Sequence, residues 1–115
     1  MGDAKPKTAA TVDILASATT LLALYNTKLG TSFSKAKSDM VQVKAASTNA
    51  ANITIGDSTV TAGNGLNIEP GQGFSLPFIR LDGGNVTDLK DWYAIGTVGD
   101  KLDILPITAV FDTYE

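Results

Sequence analysis

The side chains that most often move protons, hold metals or attack electrophiles are scarce in this sequence. Its 115 residues include no histidine and no cysteine, which removes the commonest general base, the commonest metal ligand and the thiolate nucleophile. Catalysis would fall to carboxylates, lysine, tyrosine or hydroxyl groups. The acidic residues Asp57, Asp82, Asp88, Asp91, Asp100 and Asp103 lie mostly beside glycine or in polar connectors, where aspartate caps local backbone N–H groups. No nucleophile stands with a base at a spacing that suggests an active site. The expectation is a protein that is not an enzyme and carries no cofactor.

Three short stretches invite a ligand reading. DGGNVTD (82–88) repeats oxygen donors, but it lacks the ligand spacing and terminal bidentate glutamate of an EF-hand calcium loop. GNG and GQG are not phosphate-binding fingerprints, because neither opens a helix or ends in GK[ST]. Trp92 and Tyr93 are adjacent, so on a strand they point to opposite faces. At most one joins a given core, and both are candidate core or interface aromatics with Phe74 and Phe78. A lone tryptophan without a row of aromatic partners is a poor sugar platform, which leaves a carbohydrate-binding adhesin module as a secondary reading.

The elements that would position these residues are short strands. Charged residues make up 18% and aromatics 7%, with small residues abundant, a composition that suits strands and turns better than a long-helix bundle. MVQVKA (40–45) alternates cleanly, ITI (53–55) reads as its hairpin partner, and GFSLPF places Phe74, Leu76 and Phe78 on one face. Pro77 and Pro106 mark edges or bulges, since proline donates nothing to a ladder. WYAIGTV and KLDILPITAVF are the last strands, with Gly99-Asp100 compatible with a tight hairpin. Residues 11–26 carry both a helical stripe (Ile14, Ala18, Leu21, Leu22, Tyr25, Leu29) and β-branched threonines, and two strands are favoured there. Residues 26–39 read as a long surface loop.

One domain is expected from this length. Residues 1–8 (MGDAKPKT) form an extended arm, in which Lys5, Pro6 and Lys7 are candidates for inter-subunit contact, and residues 9–115 form a single domain. The fold class is all-β, a sandwich or jelly-roll-like barrel of six to eight short antiparallel strands. A net charge of −3 gives no electrostatic footprint for nucleic acid. The apolar run ILASATTLLALY is too short to span a bilayer and, with acidic residues preceding it, reads as part of the fold rather than a secretory signal. No membrane or small-molecule partner is expected.

From residue 40 onward the sequence resembles a set of small β-sandwich structural proteins of tailed bacteriophages. The positions that carry the resemblance are Ile53, Ile55, Gly56, Asp57, Ser58, Val60 and Thr61, then Asn64, Gly65, Leu66, Ile68, Pro70 and Gly71, and later Tyr93, Ala94, Ile95 and Gly96. The turn residues Gly56, Asp57, Asn64, Gly65, Pro70 and Gly71 are structural in that pattern, with no catalytic role. The resemblance implies a virion component assembled in the bacterial cytoplasm, most directly a capsid decoration (cement) protein. Its implied partners are the major capsid protein and copies of itself in a homotrimer. A neck, tail or head-fibre component is the alternative.

Overall fold

The computed structural model describes residues 8–34, 37–38, 40–76 and 87–107. Its strands are β1 (Ala10–Asp13), β2 (Thr19–Thr20), β3 (Lys37–Ser38), β4 (Met40–Ala45), β5 (Ile53–Gly56), β6 (Leu66–Ile68), β7 (Gly73–Leu76), β8 (Thr87–Asp88), β9 (Tyr93–Ile95) and β10 (Lys101–Ile107). One helix, α1 (Leu21–Leu29), and one 3-10 turn (Leu89–Asp91) complete the described elements. Two antiparallel four-stranded sheets run in the orders β1-β10-β4-β7 and β2-β9-β5-β6, and β3 pairs with β8 in a separate two-stranded ladder. The fold is an all-β sandwich, as the composition and turn spacing predict.

The two orders are in step. β1 and β2, β10 and β9, β4 and β5, and β7 and β6 hold the same lateral positions in their respective sheets, which is the strand interleaving of a jelly roll. Consecutive strands therefore arch from one sheet to the other, apart from the β5–β6 hairpin. Two expectations are corrected by this. ITI does not return along MVQVKA, because β5 pairs with β6 and β9 while β4 pairs with β10 and β7. Gly99-Asp100 does not close a hairpin either, since β9 and β10 belong to different sheets. In both cases the two strands bury matching apolar faces, and those faces meet across the core rather than side by side in one ladder.

Alternation is what builds that core. β4 buries Val41, Val43 and Ala45, β10 buries Leu102 and Ile104, and β1 buries Ala10 and Val12, while Ile53, Ile55, Ile68 and Ala94 face them from the second sheet. Period-two burial puts every second side chain on one face of the pleat. Pro106 sits in β10, an interior strand, rather than on an edge strand. Its register explains the tolerance: β1 accompanies β10 only as far as Ile104, and beyond it β10 pairs with β4 alone among the described residues. β7 is an edge strand of its sheet, with Phe74 and Leu76 opposite Val43 and Val41 in register. Pro77 and Phe78 lie outside the described residues.

The segment after β1 is the third correction. Only Thr19 and Thr20 form a second strand, and residues 21–29 are helical. Both ends of α1 are capped. The Thr20 hydroxyl accepts from the Ala23 N–H, and Gly30, at φ 69°, donates its N–H to the Asn26 carbonyl, satisfying groups that a helix leaves orphaned at its termini. Leu21, Leu22, Leu24 and Tyr25 are buried where α1 packs against β1 and the 3-10 turn. The threonines that favoured a strand thus end β2 and cap the helix. The loop that follows is shorter than expected, and Asn26 closes it: its amide accepts from the Thr31 hydroxyl (2.7 Å) and Phe33 N–H (3.2 Å) and donates to the Phe33 carbonyl (2.9 Å).

Candidate binding surface

The turn residues singled out in 53–71 form a locked hairpin and a docked turn. Asp57 accepts from the Thr59 hydroxyl at 2.6 Å and the Thr59 N–H at 2.9 Å, and those two bonds hold its carboxyl below the usual carboxylate range. Thr61 and Asn64 exchange both backbone bonds (3.0 and 3.1 Å), so Ala62 and Gly63, not Asn64-Gly65, are the central residues of that turn. Gly65 follows at φ 146°, with its Cα face pressed on Thr54, Val60 and the Ile55 carbonyl. Gly56 has no positive φ and ends β5. Pro70 and Gly71 occupy the centre of a turn closed by Gln72 N–H to the Glu69 carbonyl (2.9 Å), with Gly71 at φ 85°, the type II geometry that proline then glycine favours. This turn is tied to the end of β4 by Gly71 N–H to the Ala45 carbonyl and Ala45 N–H to the Gln72 carbonyl, both 2.9 Å.

A second locked region lies at one end of the sandwich. Asp100 is buried, and its two carboxylate oxygens accept from the N–H groups of Ala50 (2.9 Å) and Ala51 (3.1 Å). The Asn49 side chain both donates to and accepts from the backbone of Lys101, at 2.8 Å each way. Asp57 and Asp88, which accepts from the Lys90 N–H (3.1 Å), are local caps as the sequence suggests. Asp100 differs, because its targets are fifty residues away in the chain. Among the described residues no three acidic, histidine or cysteine side chains gather where a metal could sit. Asp82 and residues 83–86 of the DGGNVTD stretch lie outside the described residues.

Of the aromatics, Trp92 is half-buried against the core, and its carbonyl accepts from Leu21 N–H at 2.8 Å, at the start of α1. Tyr93 is half-buried on β9 opposite Thr20 and Gly56. Trp92 thus serves the core more than an exposed platform. Lys5, Pro6 and Lys7 lie outside the described residues. What the structure does describe is the residue that follows them. The Tyr25 hydroxyl donates to the Thr8 carbonyl at 2.6 Å, and its ring stacks on Phe33 at 6.5 Å.

Burial pushes the Tyr25 phenol above its ordinary value of 10.0, because the phenolate would lose hydration. A group whose folded pKa is raised contributes stability that is fully present below the unfolded pKa and is lost as pH rises through the folded one. Spectroscopic titration of tyrosinate absorbance is expected to show a step above pH 10 that belongs to Tyr25. Loss of the Thr8 anchor should accompany it, since a phenolate donates no hydrogen bond. Loss of that step in Tyr25→Phe would assign it, and an unchanged titration above pH 10 in that variant would refute the expectation.

No protein-family model matches the chain, no curated protein matches it, and no solved structure matches it. Among the described helices none is long and apolar enough to cross a membrane. Among the described residues the outer face of the first sheet is uncovered, and it carries a trough of about 630 Å³ that crosses all four strands, from Ala9 and Thr11 to Gly73 and Ser75. Its lining of small, amide, charged and aliphatic groups suits contact with another protein surface. A hollow of about 360 Å³ lies on the second sheet between Thr54, Asn67, Ile95 and Thr97. Sequence reasoning found the turns but missed both the Tyr25 anchor and the open sheet face. The helical stripe that includes Tyr25 was the available signal for the first, and the polar alternates of MVQVKA and KLDIL were the signal for the second.

Proposed function

We propose that this chain is a structural protein of a bacteriophage virion, a decoration protein that binds the outer capsid surface and stabilises it. The observation that carries the reading is the anchored root of the N-terminal segment. A buried phenol pins the Thr8 carbonyl to the sandwich, so a strap made by the residues before it would pull on a point tied to the fold. A segment rooted in this way can strap a neighbouring subunit and transmit load to the body. Body and strap then bind as linked modules, and their joint affinity exceeds that of either alone.

The locked turns support the same reading. The residues that carry the phage resemblance hold the hairpin and the Pro70-Gly71 turn in place, which leaves partner recognition to the surfaces. Jelly rolls serve in viral capsid and lectin domains, and fold alone assigns neither role. Expanded capsids lacking a decoration protein are expected to take up the chain across the whole shell and to survive to higher temperature. Deletion of residues 2–7 should weaken uptake by roughly tenfold or more, as loss of one linked module does, with an unchanged circular dichroism spectrum. Capsid survival that is the same with and without the chain would overturn the reading, and density confined to one vertex would move the protein to the neck or tail.

A further inference from the structure

We propose that the outer face of the first sheet seats a second copy of this chain. The two copies are related by a twofold axis that runs along the boundary between β10 and β4, with Asp103 of each against the partner's Lys44. This inference stands on the register and charge of the face and does not rest on the capsid reading.

The register supplies the geometry. Asp103 pairs with Lys44, Leu105 with Gln42 and Ile107 with Met40 across the two central strands, and burial alternates so that these six residues all point away from the core. A twofold axis lying in the interface and parallel to these strands puts each β10 over the partner's β4. Every cross-strand pair then becomes a pair between copies: an anion meets a cation, and an aliphatic meets an amide or a thioether. Face-to-face sheets are skewed by about 30° through their twist, which disturbs the central β10 and β4 pairs less than contacts made by the outer strands β1 and β7.

The charges favour this occupant. Asp103 is turned away from Lys44 and accepts from the Thr11 hydroxyl at 2.5 Å. Among the described residues the Lys44 ammonium has neither an ion pair nor a hydrogen bond within its own chain. Asp13 is already paired with Lys101 on the same face. Two aspartates and two lysines leave the face neutral on a chain of net charge −3, so two copies meet there without like-charge repulsion, and the charges fix the register of the pair. Leu105, 40% exposed, is the apolar centre. The trough of about 630 Å³ gives room for the partner's long side chains.

A face four strands wide and about six residues long measures ~19 Å by ~20 Å. Two such faces fall below the ~1,200 Å² at which stable specific interfaces begin, in the range of weak, transient contacts, so the pair forms in a concentration-dependent way.

Sedimentation velocity of the full chain from roughly 1 μM to 1 mM, the range in which such contacts saturate, should show a monomer passing to a dimer. Asp103→Lys and Lys44→Asp should each remain monomeric over that range. Their equimolar mixture should dimerise again, because each variant's altered residue then faces an opposite charge, while the variants' net charges, both negative, give no general attraction. Leu105→Glu should also be monomeric and serves if either reversal fails to fold. A wild-type monomer throughout, a dimer or trimer whose mass no variant changes, or a mixture no heavier than its components would each overturn the proposal.

Discussion

Gly65→Ala is expected to lower the melting temperature by about 10 °C or more, the shift that a loss of roughly 3 kcal/mol gives in a domain of this size. A Cβ at position 65 would sit 2.7 Å from Thr54 Cγ2, 2.8 Å from Val60 Cγ2 and 2.9 Å from the Ile55 carbonyl oxygen. The last of these is backbone in β5 and has little freedom to retreat. Overpacking of this kind costs about 1–3 kcal/mol, and a side chain at φ 146° adds backbone strain of about 1–3 kcal/mol. The hairpin would respond by peeling β6 from β5, which exposes Ile68. Gly63 supplies the control: a Cβ there meets nothing within 4 Å, so Gly63→Ala should change stability by less than about 0.5 kcal/mol. Equal melting temperatures for the two variants would show that the close approach at Gly65 does not constrain the fold.

Asp100→Ala is expected to cost about 2–4 kcal/mol: two hydrogen bonds to a charged acceptor contribute about 1.5–3 kcal/mol each, and water reaching the exposed residues 50 and 51 recovers part of that. Removing the carboxylate strands the N–H groups of Ala50 and Ala51 and frees the loop that carries the chain from β4 to β5. Asp100→Asn keeps one acceptor oxygen and should fall between the two. Native-state hydrogen exchange makes the assignment specific: the amides of residues 50 and 51 should lose protection before those of β4 and β10 do. Full protection of those two amides in the alanine variant would show that the carboxylate does not hold the loop.

How far the fold was legible follows from the range over which each interaction acts. The alternation in MVQVKA and KLDIL reports which side chains face the core, because the pleat fixes that over neighbouring residues. It does not report which sheet a strand joins. β4 and β5, like β9 and β10, look like hairpin partners on pattern alone, and only the packing of both apolar faces into one core makes their connections arches. Leu21–Leu29 carried strand and helix signals together. What decided between them was the use of Thr20 as a cap and the burial of Leu21 and Tyr25 against β1 and the 3-10 turn, neither of which a local window contains.

The surfaces divide in the same way. Asp57 and Pro70 act within a few residues of themselves, so their roles could be read directly, whereas Asp100 and Asn49 act on backbone about fifty positions away. Asp103 and Lys44 become neighbours only when β10 lies beside β4. By itself the sequence determined the fold class, the sites of the turns and the shortage of histidine and thiol chemistry, all of which depend on composition or on short-range backbone preference. Tertiary structure alone decided the jelly-roll order, the helix, the anchored root at Thr8 and the charge pattern of the open sheet face, because each of these requires segments distant in the chain to meet.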